Sequence, residues 1–250
     1  MKTITGVIIA KNDEKMIAKA LESLEFCNEI IVINNDSKDR TKQVAEGFKA
    51  KVYDITSGDF SELRNFGLSK VTTDYVLYID TDERVSRELK ESILEVLKSE
   101  EIYVAYKIQR KNFYFGNYEW PYIEKLERFF KKDKLVTWKG KLHESPVIDG
   151  KVGELKGFLT HFTHRDLESM VNKTMEWSDK EALLRYNTHH PQMSWWRFPR
   201  VMLTAFLNSY IKQKGFKAGT AGFVESIYQS FSMFITYAKL WELQKISKKS

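Results

Sequence analysis

Strand-like and helix-like runs alternate through the first hundred residues, and this alternation limits the fold more than any other feature. Ile4–Ala10 is apolar and β-branched, and residues 13–25 carry Met16, Ile17, Ala20, Leu21 and Leu24 on one helical face. Glu29–Ile33 reads as a second strand, Asn34–Asp39 as a turn cluster, residues 40–48 as a helix and Lys51–Asp54 as a short strand. Ser61 is placed to cap a helix running to about Lys70. Tyr75–Ile79 is a further strand, and Ser86 is placed to cap a helix with Leu89, Ile93, Val96 and Leu97 on one face. Alternation with short connections predicts an α/β fold, a mostly parallel sheet with helices on both faces. Ligands of such sheets bind at the carboxyl ends of the strands. Asn34–Asp39 and Asp80–Glu83 both fall there, so two acidic turns are expected on one rim.

The second turn is the more telling. Residues two apart in an extended chain point to the same side. If Asp80 and Asp82 leave the strand in that geometry, both carboxylates face one hard cation. One or two carboxylates with water and phosphate oxygens is a usual way to hold a divalent ion against a nucleoside diphosphate. Two solvated turn aspartates is the plainer reading of the same residues.

After residue 100 the pattern changes. Residues 102–109 read as a strand, 111–122 as an aromatic loop, and 126–130 and 135–138 as short strands. Together they suggest an antiparallel extension carrying an acceptor site. Residues 166–185, 193–214 and 220–244 read as helices. The expected domains are therefore 1–165, a binding and catalytic α/β domain, and 166–244, a helical extension, with 245–250 as a tail.

Cysteine usage closes off some chemistry. Cys27 stands alone, which excludes an internal disulfide and any zinc site needing two cysteines; its apolar neighbours suggest an inert buried thiol. The early apolar run meets charge at Lys11, too soon for a secretory signal, and no stretch of 18 residues is free of charge. The expected compartment is cytoplasmic. The net charge of +6 is unevenly spread: no Asp or Glu lies between Ala182 and Val224, where Arg197, Arg200, Lys212 and Lys217 are interleaved with Trp195, Trp196, Phe206 and Phe216. That mixture suits an anionic membrane surface, and it would also suit nucleic acid.

Several runs, taken in order, resemble glycosyltransferase family 2. They are residues 7–14 (VIIAKNDE), 29–41 (EIIVINNDSKDRT), 63–67 (LRNFG) and 79–84 (IDTDER). Later runs, residues 110–116 (RKNFYFG), 128–130 (RFF), 143–144 (HE), 161–164 (HFTH) and 237–242 (YAKLWE), are similar to the branch that adds a sugar to the lipopolysaccharide inner core. The resemblance spans nearly the whole chain. It implies a GT-A fold (Rossmann-like), inverting sugar transfer of the hexosyltransferase type, a nucleotide-sugar donor, a glycan or lipid-linked acceptor, and Mn²⁺ or Mg²⁺ as cofactor. With such an acceptor, the acid-free basic and aromatic segment suggests a peripheral position at the inner face of the cytoplasmic membrane, and no nucleic-acid partner is expected.

Carried onto this chain, the resemblance places donor contacts at Ala10, Lys11, Asn12, Glu14, Asn34, Asp36, Asp39, Arg64, Asn65 and Asp80. Asp80 and Asp82 become the metal and diphosphate residues. His161 would complete the metal shell or be a buried structural histidine. The family usually carries Asp where this chain has Asn34, so base preference is open, with Asp36 or Asp39 as substitutes. Inverting transfer needs a base for the acceptor hydroxyl. Glu144 is the leading candidate, with His143 and Glu124 as alternatives, and Glu144 as an acceptor contact is a further reading. Tyr118 and Trp120 suit stacking on a sugar or packing in a core, and Arg128 is a further acceptor candidate.

Three rival readings stand beside this. A phosphatase using Asp-x-Asp wants Thr or Val where Arg84 stands. A non-catalytic membrane or nucleic-acid binder leaves the acidic rim unexplained. A glycosyltransferase fold without activity has only Asn34 in its favour.

Overall fold

The computed structural model describes residues 2–99, 102–116, 118–140, 144–163 and 166–246. It divides into two compact units, residues 1–111 with 124–161, and residues 112–123 with 162–250.

In the first unit, β1 (Ile4–Ala10) pairs in parallel with both β2 (Glu29–Asn34) and β4 (Tyr75–Asp80), and β2 pairs in parallel with β3 (Lys51–Asp54). The apolar runs are continuous because β1, β2 and β4 are covered on both faces; Val7, Ile8, Val32, Val76 and Ile79 are all fully buried. One face is covered by α1 (Ile17–Ser23) and α2 (Thr41–Gly47), and the other by α3 (Phe60–Lys70). The cap of α3 is Asp59 and not the expected Ser61: its carboxylate accepts from the Ser61 and Glu62 N–H groups, the first-turn donors that an N-cap satisfies. Ser86 caps α4 (Arg87–Lys98) as expected, accepting from Leu89 N–H.

Beyond β4 the sheet continues with β7 (Tyr118–Lys131), β6 (Ala105–Tyr114), β10 (Val152–Phe162) and β5 (Glu83–Val85), in the order β3-β2-β1-β4-β7-β6-β10-β5. β4 and β7 are antiparallel, as are β10 and β5. A separate hairpin joins β8 (Leu135–Lys139) to β9 (Ser145–Ile148). The aromatic loop expected over residues 111–122 is instead strand, broken at Phe115 and Gly116, whose positive φ angles make the turn. The fold requires glycine at position 157 (φ +83°), where a Cβ would lie 2.2 Å from the Leu89 nitrogen.

The second unit is led by α5 (Leu167–Asn187), α6 (Arg197–Leu207) and α7 (Gly219–Ile246), and α7 packs on both of the others. A reciprocal Asp166–Ser169 capping box opens α5. The helix expected from residue 193 starts at Arg197, with Pro199 in its first turn, where a missing N–H costs no intrahelical bond. It ends in a π-helical turn, Asn208–Lys212. Ala182, Met193, Tyr237 and Leu240 form the core. Trp120 is buried here, donating to Gln213 at 3.2 Å and meeting the Tyr114 ring edge-on at 4.9 Å. Among the described residues, no helix is long and apolar enough to cross a membrane.

Candidate active site

The parallel register puts the carboxyl ends of four strands side by side: Ala10 opposite Asn34, Ile9 opposite Asp80, and Asn34 opposite Asp54. The loops above them are tied together through their backbones. Asn12 (φ +55°) accepts from Lys38 N–H at 2.7 Å, and its own N–H donates to Ser37 Oγ. Glu14 N–H donates to Asp39, Arg40 N–H donates back to Glu14, and Asp13 accepts from Thr81 Oγ1. Asp36 pairs with Lys38 at the surface, and Lys11 is exposed. Burial alone would raise the Asp39 carboxyl; donors from Thr41 and Glu14 outweigh it and hold the group below its ordinary range. The expected donor residues of this stretch are thus gathered on one rim, with Asn12, Glu14 and Asp39 acting as its internal ties.

Asn34 is buried, and its amide donates to Asp54 at 2.7 Å. That bond and the Lys42 ammonium keep the Asp54 carboxyl below its usual range. The other end of the amide, Oδ1, is buried with no hydrogen-bond partner among the described residues. Asn65 is occupied elsewhere, making three hydrogen bonds to Thr137 and Trp138 that fasten α3 to β8.

An alternating network of carboxylates and guanidiniums lies under the rim. Asp80 accepts from Arg128 at 2.7 Å on one oxygen and from Arg64 at 3.3 Å on the other. Arg64, only 4% exposed, donates through Nε to Glu144 at 2.7 Å, with its guanidinium 4.8 Å from the Trp138 ring centre and 5.5 Å from that of Tyr78. Its flat faces are therefore covered by protein and not open to a base. Glu83, fully buried, accepts from the Asp80 N–H, from Arg110 and, at 3.5 Å, from Arg128. Arg110 also donates twice to Glu124. Burial would raise the Asp80 carboxyl, but Arg128, Arg64 and Arg110 hold it well below the carboxylate range. Burial likewise disfavours the Arg128 cation, and Asp80 and Glu83 more than restore it.

The two aspartates part company at Thr81. β4 ends at Asp80, and Thr81–Asp82 make a turn, so the extended geometry that would aim both carboxylates at one ion is not present. Arg84 fixes this turn by donating to the Thr81, Glu83 and Met16 carbonyls. The β5–β10 ladder then sets His161 opposite Glu83, with its Nε2 3.3 Å from the Asp82 carboxylate. Among the described residues, no three His, Cys, Asp or Glu converge as a metal cluster. Asp82 and His161 nonetheless form an oxygen–nitrogen pair that fits a divalent ion keeping water and phosphate for its other positions.

The remaining expected residues fall as follows. Glu144 is at the site, where its Oε1 accepts from Arg64 Nε. His143, the alternative base, lies outside the described residues, as does His164. Arg128 is buried against Asp80 and Glu83; Trp120 packs in the second unit's core, and Tyr118 is exposed. Glu83 and Arg110 lie in runs that carry the family resemblance, but sequence reasoning gave them no partners, and it gave Trp138 no role. One cavity, about 400 Å³, is far from this chemistry: Cys27, Phe48 and Lys49 line it at the amino end of β2, and burial pushes the Cys27 thiol up to about 12.

A mixed α/β sheet whose first four strands run parallel, covered by helices, is the GT-A architecture. The profile of glycosyl transferase family 2 matches residues 5–147, and the chain belongs to that family. An uncharacterised glycosyltransferase of Rickettsia typhi is 31% identical over 99% of this chain and 90% of its own length. The lipopolysaccharide core biosynthesis glycosyltransferase LpsC of Rhizobium meliloti is 25% identical over 96% of this chain and 92% of its own. Glucosyl-3-phosphoglycerate synthase of Mycobacterium tuberculosis, solved with Mn²⁺, UDP and glucosyl-3-phosphoglycerate, superposes at a TM-score of 0.36, with 24% identity over 45% of this chain and 44% of that one.

Proposed function

We propose that this chain is an inverting glycosyltransferase that moves a sugar from a nucleotide-sugar donor to a glycan or lipid-linked acceptor of the cell envelope. The likeness to LpsC over nearly the whole chain favours a lipopolysaccharide-core acceptor. The carrying observation is the Arg64 bridge, which joins Glu144 to Asp80 at the rim where the strands end. It sets a candidate base and the strand-end aspartate in one rigid frame, 64 residues apart in sequence.

In this reading the donor lies across the ends of β1, β2 and β4, with Asn34 and the loop after Ala10 against its nucleoside. Asp82 and His161 would hold Mn²⁺ or Mg²⁺, which when bound offsets the charge that grows on a departing diphosphate. Glu144 Oε2 takes the proton of the acceptor hydroxyl as that oxygen bonds to the anomeric carbon and the bond to the diphosphate breaks. Arg64 keeps Glu144 in place, Arg128 and Arg110 keep Asp80 ionised inside the fold, and both pair with Glu83. The acceptor would be met at the inner face of the cytoplasmic membrane, which the chain reaches as a peripheral protein.

The test is thermal stabilisation by UDP, GDP and their sugars with and without Mn²⁺ or Mg²⁺. Stabilisation that needs the metal and is lost in Asp82→Ala supports the reading. A protein stabilised by no nucleotide under any condition would refute it.

A further inference from the structure

Among the described residues, the second unit exposes two apolar stripes. On α6 and its π-helical end, Leu203, Leu207 and Ile211 are exposed; on α7, Phe223, Ile227 and Phe231 are exposed. Spacings of four residues put each set along one side of its helix. The helices pack on each other, and Phe223 meets the rings of Phe206 at 6.2 Å and Tyr210 at 6.1 Å, so the stripes join. A folded monomer seldom leaves so continuous an apolar face in water.

The charges beside it say what covers it. Arg200, Lys212, Lys214 and Lys217 are exposed, and no Asp or Glu occurs from Ala182 to Val224. The first acid afterwards, Glu225, is buried. Trp195 is 83% exposed just before α6, and Arg197 lies 5.1 Å from the ring of Trp196. Indole rings beside cations, next to a shallow apolar face, match the boundary between lipid headgroups and acyl chains. A second copy of this chain would bring the same cations against one another across a two-fold axis.

We infer that the joined face of α6 and α7 docks on an anionic lipid surface, with the two stripes entering the acyl boundary and Lys212, Lys214 and Lys217 meeting headgroup phosphates. This rests on the reading of the enzyme as membrane-associated and gives that association a place on the chain. It does not depend on the donor chemistry.

The experiment is flotation of the full chain with phosphatidylglycerol-containing vesicles and with pure phosphatidylcholine vesicles, at low and high salt. Binding is expected only to the anionic vesicles and should weaken with salt. Lys212→Gln with Lys217→Gln should lower the partition coefficient about thirtyfold, from roughly a fivefold contribution per cation near the surface. Leu203→Glu with Ile227→Glu should abolish binding. All four positions are exposed, so the variants should keep the wild-type melting temperature and its response to UDP with metal. Absence of binding by the wild-type chain, or equal binding to both vesicle types, would overturn the inference. So would a dimer in lipid-free solution that Leu203→Glu with Ile227→Glu dissociates, since the face would then belong to a second copy. Nucleotide stabilisation in the same samples separates failure of docking from failure of the catalytic reading.

Discussion

Replacing Arg64 by methionine tests whether the buried network holds the site together. The side chain lies between Trp138 and Tyr78 and bridges Asp80 to Glu144, so methionine fills the space while removing the charge. Breaking a buried pair by removing one partner costs about 3–5 kcal/mol. The lower end applies here, because Asp80 is one-third exposed and keeps Arg128. For a chain of this size, about 3 kcal/mol corresponds to a fall in melting temperature of roughly 6–12 °C. The pH dependence has a definite sign. A carboxyl held below its unfolded value adds stability above that value and loses it as pH falls toward the folded one. Arg64 is one of the cations holding Asp80 down. The gap between wild type and Arg64→Met should therefore be full near neutrality and narrow below about pH 4, where aspartate begins to take up protons. Arg64→Lys keeps a charge but not the two-sided reach of a guanidinium, and should recover only part of the loss. Circular-dichroism melts across pH measure all of this. A methionine variant that melts with wild type at neutral pH would refute the bridge.

Three further outcomes follow from the same geometry. Asp82→Ala should retain the fold but lose the metal-dependent stabilisation that UDP at about a hundred times its dissociation constant gives, some 2.7 kcal/mol, read as a missing melting shift. Glu144→Gln should lower kcat at least about a hundredfold while leaving nucleotide stabilisation intact, in a radiolabelled or coupled transfer assay; undiminished turnover would move the base elsewhere. Gly222→Ala should destabilise the second unit, since its Cβ would fall 1.8 Å from the Gly215 carbonyl oxygen, a clash of backbone worth at least about 1–3 kcal/mol in a denaturant melt.

What sequence could show here was whatever is local. The strands β1, β2 and β4 announce themselves because burial on both faces demands unbroken apolar runs. Ser86 shows as a cap because capping is settled within three residues. The segment 111–122 misled because its strands carry Lys, Asn and Glu among their aromatics, and half-polar strands next to a tight turn look like loop. The Arg64–Glu144 and Arg128–Asp80 bonds join residues 80 and 48 positions apart, and no periodicity records such a pairing. The family resemblance pointed to Arg64, Arg128, Glu144 and His161 one by one, and only the fold shows which of them meet: the β5–β10 ladder, for one, carries His161 to Asp82.

The Asp-x-Asp pair reads in sequence as one unit, yet the fold gives its halves different surroundings. Each oxygen of Asp80 accepts from one guanidinium, so an ion held there would share the carboxylate with Arg64 and Arg128. Asp82 sits in a turn, 23% exposed, with the His161 imidazole 3.3 Å away and the Arg84 guanidinium near enough to feel its charge. The division of labour that follows is a physical one. Asp80 is tied to two arginines, and through Arg64 to Glu144, while Asp82 faces the His161 imidazole at 3.3 Å.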